Sequence, residues 1–140
     1  MQVKEIMHSV TKIPSDSSIT EAALIMDQKS IGSVLIEEND EIVGIMTERD
    51  ILRKIVAQGK NPDEVRVNGI MSQPLITIDA NEDIVKASEE MDKRRIRRLV
   101  VTENGKIVGK VTANSIARNL KYALTSSSLR ARKEYTRPEY

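Results

Sequence analysis

Hydrophobic and polar positions follow one order along the chain, and that order is used twice. Ile19, Ala22, Ala23 and Met26 recur at i, i+3, i+4 and i+7, the stripe of a helix buried on one side. Ser18 followed by Glu21 predicts a capping box at the start of that helix. Two short, uninterrupted apolar runs come next, Val34–Ile36 and Ile42–Met46, as expected of well-covered strands. A second helix is expected after Thr47, carrying Ile51, Leu52, Ile55 and Val56. The later copy has the strand Leu99–Val101, the hairpin signal Asn104-Gly105 and a closing helix with Ile116, Ala117 and Leu120. Asn39-Asp40 occupies the matching hairpin position in the first copy. An apolar opening segment precedes each copy's first helix: Lys4–Met7 with Val10–Ile13, and Asn68–Met71 with Pro74–Ile78.

The repetition is more than a likeness of pattern. Sliding Ile13–Arg53 onto Ile78–Arg118, a constant offset of 78 − 13 = 65, aligns 41 positions without a gap, and 14 are identical. The chain is a duplication. Its parts are a first unit at 1–60, a connector at 61–66, a second unit at 67–123 and a polar, basic tail at 124–140, helical in part. The turn-rich Gly59-Lys60-Asn61-Pro62-Asp63 marks the connector. A unit of about sixty residues buries too little surface to be comfortable alone, so the two are expected to pack together. The fold class is α/β (α+β), each unit running helix–strand–strand–helix.

Composition narrows the function. Twenty-two basic and 21 acidic residues leave a net charge of +1, which argues against a general nucleic-acid coat. No cysteine is present, so disulfides and thiolate sites are excluded, and a single histidine, His8, cannot assemble a transition-metal cluster by itself. No apolar run reaches the roughly 18–20 residues that span a bilayer, and no signal-peptide pattern opens the chain. A cytoplasmic address with no membrane partner is expected. Phe and Trp are absent, and the tyrosines (Tyr122, Tyr135, Tyr140) lie near the C-terminus, so the main body offers no stacking platform for single-stranded nucleic acid.

Two constellations carry candidate chemistry. Gly44-Ile45-Met46-Thr47-Glu48-Arg49-Asp50 ends a strand and opens a helix, and Gly109-Lys110-Val111-Thr112-Ala113-Asn114-Ser115 repeats it with serine in place of the aspartate. Thr47 and Asp50 are consistent with a simple capping box. They also suit a nucleotide: Gly44 permits close approach within a strand, a helix start with a threonine hydroxyl favours phosphate, and a fixed carboxylate can accept both hydroxyls of a ribose. Lys93-Arg94-Arg95-Ile96-Arg97-Arg98 is the other constellation. Lys93 and Arg94 read as a solvated helix end complementing the dipole. Arg97 and Arg98 enter a strand and could present a fork to a phosphate. Serines without a base partner, an unoriented His8 and scattered carboxylates give no catalytic site, so no enzyme, metal site or resident cofactor is expected.

With these residues in place, both units closely resemble the cystathionine-β-synthase-type (CBS) domain, here as the tandem pair called a Bateman module. The resemblance spans about Val3–Lys121 and rests on the duplication, the helix–hairpin–helix order and the signature of glycine, two apolar residues, Thr or Ser, two variable residues, then Asp or Asn. Gly44–Asp50 matches in full, while Gly109–Ser115 departs at Lys110 and Ser115. The resemblance implies a body with pseudo-two-fold symmetry, homodimerisation, and binding of AMP, ADP, ATP or S-adenosylmethionine in a cleft between the units. It implies that Asp50 takes the ribose, Thr47 lies near the phosphate and Ile45 lines the cleft. Pro74, Leu75 and Ile76 would sandwich the adenine, Ile96 would pack beside the base or sugar, and Arg97, with Arg98 behind, would approach the phosphate. The mirror site would use Val10, Thr11, Ile31, Gly32, Thr112 and Ser115. It lacks the acid and the arginine, and exchanging a charged hydrogen bond for a neutral one costs about 1.5–3 kcal/mol, roughly 10- to 150-fold in affinity. One good site and one poor or empty site are therefore expected.

The leading function is a stand-alone sensor of an adenine nucleotide, AMP first, that signals to an effector protein by changing shape. The alternative is a scaffold that dimerises through its helices without a ligand.

Overall fold

The computed structural model describes residues 1–120. The tail at 124–140 and the last residues of the second unit lie outside the described residues. Strands β1 (Lys12–Pro14), β2 (Ser33–Glu38) and β3 (Glu41–Thr47) form one three-stranded sheet, and β4 (Thr77–Asp79), β5 (Arg98–Glu103) and β6 (Lys106–Thr112) form another. In each sheet the first strand runs parallel to the second and the second antiparallel to the third. Helices α1 (Ile19–Lys29) and α3 (Ile84–Arg94) connect the parallel pairs, whereas α2 (Glu48–Ile51) and α4 (residues 113–120) follow the last strands. The sequence pattern contained no separate β1 or β4. Three-residue strands are too short to show a period.

Local signals act as expected. Ser18 Oγ accepts the Glu21 N–H at 3.1 Å while Glu21 Oε2 accepts the Ser18 N–H at 3.2 Å, the reciprocal cap of α1. Asp83, which the sequence pattern did not single out, caps α3 by accepting the Val85 N–H at 2.8 Å. Both hairpins turn through residues with positive φ, Asn39 (50°) and Asp40 (62°) in one, Asn104 (52°) and Gly105 (76°) in the other. That pair of left-handed residues matches the twist of the flanking strands. A register shift recurs at the same place in both copies, between Ile36 and Glu37 and between Val101 and Thr102.

The second helix of the first repeat departs from expectation. After Ile51 it widens into a π-helical turn, Leu52–Val56, closed by an Ala57 N–H to Leu52 C=O bond of 2.9 Å. Ile55 is buried, but Leu52 and Val56 are 59% and 65% exposed, so they do not belong to the core. The wider turn changes the angular spacing of side chains, and a stripe drawn at the α-helical period no longer holds.

The repeats in sequence are not the compact units in space. One unit comprises Ser9–Ile76; the other joins Met1–His8 to the chain from Thr77 onward. In the first, Val67 and Ile70 enter the cluster of Ile13, Ile19, Ala22, Met26, Val34, Ile36, Met46 and Ile55. Backbone bonds fix that segment: Val67 N–H to Ser17 C=O (2.9 Å) and a reciprocal pair between Ser72 and Ile45 (2.8 and 3.2 Å). In the other unit, Val3 and Ile6 are buried, the Val3 N–H donates to Glu82 C=O (2.8 Å), and His8 pairs reciprocally with Lys110 (2.8 and 2.9 Å). The first part of each opening segment, Lys4–Met7 and Asn68–Met71, is thus built into the unit that holds the other repeat's hairpin.

Candidate functional site

Thr47 ends β3 and caps α2. Its Oγ1 accepts the Asp50 N–H at 3.3 Å, and Asp50 Oδ2 accepts both the Thr47 N–H at 2.9 Å and the Thr47 hydroxyl at 3.2 Å. The capping box allowed by the sequence is formed. A further partner, Lys54, was missed: its ammonium stands 3.1 Å from Asp50 Oδ1 and donates to the Ile70 carbonyl at 2.8 Å. The signal was present as an acid four residues before a lysine on a helix. Asp50 is 13% exposed by side chain. A carboxylate has about four lone-pair positions, so three incoming donors leave one acceptor position and a firmly held group.

Gly44 has a different reason from the one read in sequence. A Cβ there would meet Met71 Sδ at 2.7 Å and the Ser72 carbonyl at 3.0 Å. The close approach belongs to the chain's own opening segment rather than to a ligand. Gly109 stands in the same relation to the other segment, with the His8 carbonyl and Met7 Sδ both at 2.9 Å.

In the second repeat the cap is kept without the charge. Ser115 Oγ accepts the Thr112 N–H at 3.2 Å, Thr112 Oγ1 accepts the Ser115 N–H at 3.2 Å, and Ser115 Oγ donates to the Thr112 carbonyl at 2.9 Å. Asn119, the counterpart of Lys54, donates to the Ser115 carbonyl at 2.7 Å. Lys110, the counterpart of Ile45, is 8% exposed, and burial first, then the Arg98 guanidinium, hold its ammonium below the ordinary lysine range.

The remaining sequence-derived residues divide between the units. Ile45, Thr47, Asp50, Pro74, Leu75 and Ile76 lie in the Ser9–Ile76 unit, as do Val10, Thr11, Ile31 and Gly32. There the Glu48 N–H donates to the Gly32 carbonyl at 3.0 Å, which sets Gly32 beside the start of α2. Ile45 is tied to Ser72, two residues before Pro74. Ile96, Arg97, Arg98, Thr112 and Ser115 lie in the other unit, where the Ala113 N–H donates to the Arg97 carbonyl at 2.8 Å. Of the basic run, Arg94 pairs with Glu90 at 3.2 Å, Arg95 ends α3 in a left-handed conformation (φ 54°), Arg97 is exposed and Arg98 begins β5. Among the described residues no group of three or more His, Cys, Asp or Glu is placed to hold a metal ion, and no helix is long and apolar enough to cross a membrane.

Two three-stranded units, each with a threonine-capped helix behind its hairpin, define a tandem repeat of small α/β domains. The family model for the CBS domain matches residues 3–57 and 67–122, and the chain belongs to that family as a pair of CBS domains. An uncharacterized protein of Methanopyrus kandleri is 46% identical over 109 residues, covering 76% of this chain; the chain spans 55% of that relative's length. A conserved protein of Pyrococcus horikoshii has a similar solved structure, with a TM-score of 0.80 and 28% identity over 86% of this chain and 92% of that one. Hypoxic response protein I, solved with two coordinated zinc ions, matches with a TM-score of 0.71 and 30% identity over 84% of this chain and 98% of its own.

Proposed function

We propose that the pair is a regulatory module whose principal ligand is an adenine nucleotide, AMP first, with ADP, ATP and S-adenosylmethionine as the alternatives to test. The observation that carries the reading is the Asp50 carboxylate, largely buried yet held by Thr47 and Lys54 with acceptor capacity left over. A ribose needs such a fixed acceptor, and placement without reorganisation limits the entropy of binding. Leu75 and Ile76, half-buried in the same unit, offer the aliphatic surface that would sandwich the base, with Pro74. Ile96, Arg97 and Arg98 enter from the family resemblance: the first beside the base or sugar, Arg97, with Arg98 behind it, at the phosphate. The module acts in the cytoplasm as a homodimer, and an effector protein reads its change of shape. Such signalling requires the ligand to bind two shapes with different affinity.

Calorimetric titration with the four ligands tests this, with Asp50→Asn as the decisive variant, because asparagine keeps an acceptor for the Thr47 N–H. Saturable binding of AMP that Asp50→Asn weakens by about tenfold or more supports the ribose assignment. Equal affinity in the variant removes it. Arg97→Ala should weaken AMP far more than adenosine.

The scaffold reading draws on Leu52 and Val56, exposed apolar residues four apart on one side of the turn after α2. A dimer of unchanged affinity with and without nucleotide, disrupted by Leu52→Lys, would favour it.

A further inference from the structure

Within the Ser9–Ile76 unit, the residues proposed to hold a nucleoside stand on two stretches of chain: Asp50 at the start of α2, and Pro74, Leu75 and Ile76 at the end of an opening segment. Lys54 is bonded to both stretches. Its ammonium stands 3.1 Å from Asp50 Oδ1 and donates at 2.8 Å to the carbonyl of buried Ile70, four residues before Pro74. The chain just beyond that carbonyl is fixed by backbone. The Met71 N–H donates to the Val67 carbonyl at 3.0 Å, Ser72 exchanges bonds of 2.8 and 3.2 Å with Ile45, and both residues lie against Gly44. The two oxygens of Asp50 are divided between its partners. Thr47 occupies Oδ2 with its N–H and its hydroxyl, whereas Lys54 alone takes Oδ1. The acceptor position left open is therefore on Oδ1, the oxygen whose direction Lys54 sets. In the second repeat, serine replaces the acid, and Asn119 at the place of Lys54 bonds back to the Ser115 carbonyl at 2.7 Å instead.

We propose that Lys54 is the positioning residue for sugar recognition: it aims Asp50 Oδ1 at the ribose hydroxyls and ties that oxygen to the segment leading into Pro74. The proposal rests on the nucleotide reading and adds a specificity to it, for ribose over a sugar without hydroxyls. Lys54 acts through Asp50 and the Ile70 carbonyl and makes no contact with the ligand. A half-exposed ion pair adds little to stability, so the consequence of this one lies in where it holds its partners. A carboxylate fixed before binding spares the ligand the cost of ordering it. The same ammonium holds the segment that leads to the residues for the base, so sugar and base recognition share one support.

The test compares AMP, adenosine and 2′,3′-dideoxy-AMP by calorimetry on the full chain, in wild type, Lys54→Met, Lys54→Arg and Asp50→Asn. Methionine keeps an aliphatic stem without the ammonium, and arginine restores a cation. Wild type should prefer AMP to 2′,3′-dideoxy-AMP by about tenfold or more. Lys54→Met should weaken AMP and adenosine alike, by about fivefold or more, and leave 2′,3′-dideoxy-AMP nearly unchanged. Lys54→Arg should recover most of the preference, and adding Lys54→Met to Asp50→Asn should change nothing further. Should Lys54→Met fail to fold, Lys54→Gln decides by the same ratio. Equal weakening of AMP and 2′,3′-dideoxy-AMP would make Lys54 a merely structural residue, and weakening of AMP without adenosine would make it a phosphate contact. Either result overturns this proposal and leaves the nucleotide reading standing. A wild type that binds neither AMP nor adenosine overturns that reading, and this proposal falls with it. Hydrogen exchange without ligand checks the tie by itself: the Ile45, Met71 and Ser72 amides should exchange faster in Lys54→Met, and unchanged exchange there overturns it.

Discussion

Lys54 holds Asp50 from one side while gripping the Ile70 carbonyl from the other. The opening segment of the second repeat is thereby joined to the carboxylate of the first repeat's motif. Sixty-five residues on, both partners are replaced together: Ser115 stands for Asp50 and Asn119 for Lys54, and the amide bonds back to the Ser115 carbonyl at 2.7 Å. The pair behaves as one feature, kept charged in one copy and neutral in the other.

That exchange is testable as a double-mutant cycle. Asp50→Ser alone weakens the cap and should cost about 1 kcal/mol. Lys54→Asn removes a half-exposed ion pair and the bond to Ile70, costing about 0.5–1.5 kcal/mol. The double variant, which carries the second repeat's pair, should cost at least about 0.5 kcal/mol less than the sum. Urea unfolding measures all three, and strict additivity would show that the two residues do not act together.

The glycines next to the opening segments should tolerate no side chain. Gly44→Ala places a Cβ 3.0 Å from the Ser72 carbonyl as well as on Met71 Sδ, and backbone cannot swing aside. A loss of about 1–3 kcal/mol is expected there and in Gly109→Ala, read as a lowered Tm. Met71→Ala should restore only part of the Gly44→Ala loss, because the carbonyl remains. Full rescue would mean that the thioether alone sets the requirement.

Removing residues 1–8 tests the exchange of opening segments. The deletion takes away buried Val3 and Ile6 and the backbone bonds to Ala80, Glu82 and Lys110. Hydrogen exchange should quicken throughout residues 77–120 and change far less in residues 9–76. Faster exchange centred on β1–β3 would contradict the assignment of the segment.

Lys110 predicts a pH dependence of known sign. Its folded-state pKa is lowered by burial and by Arg98, while the unfolded chain keeps the ordinary value near 10.5. Between those two values the unfolded state binds more protons, so folding stability rises with pH across that window. Below the lowered value the charged lysine's penalty is present in full. Denaturant unfolding from pH 7.5 to 10 should show wild type gaining on Lys110→Ile as pH rises, by at most about 1.4 kcal/mol per unit of pKa difference. Parallel curves would show that the ammonium is not disfavoured in the folded state.

The candidate site was only half legible in the chain. Thr47 and Asp50 stand three residues apart on one strand–helix junction, so local spacing announced both the cap and the carboxylate. Lys54 was in view at i+4, but its second bond, to Ile70, depends on a segment brought back from sixteen residues away. The pairing of His8 with Lys110 was not legible at all. His8 and Lys110 are 102 positions apart, and only the pairing of a strand edge sets them side by side.

The fold divides in the same way. The stripe of α1, the capping boxes of Ser18 and Thr47, the two hairpin turns and the duplication were written in local spacing, because each depends on contacts a few residues apart. Which opening segment completes which unit was not. Val3, Ile6 and Met7 have the same spacing as Val67, Ile70 and Met71, so either segment satisfies either groove by pattern alone. Only the tertiary structure decides it, by burying Val67 and Ile70 with the first repeat's helix and sheet and by pairing His8 with the second repeat's last strand. Apolar burial is non-directional, and it cannot distinguish two identical stripes until the path of the chain brings one of them to the groove.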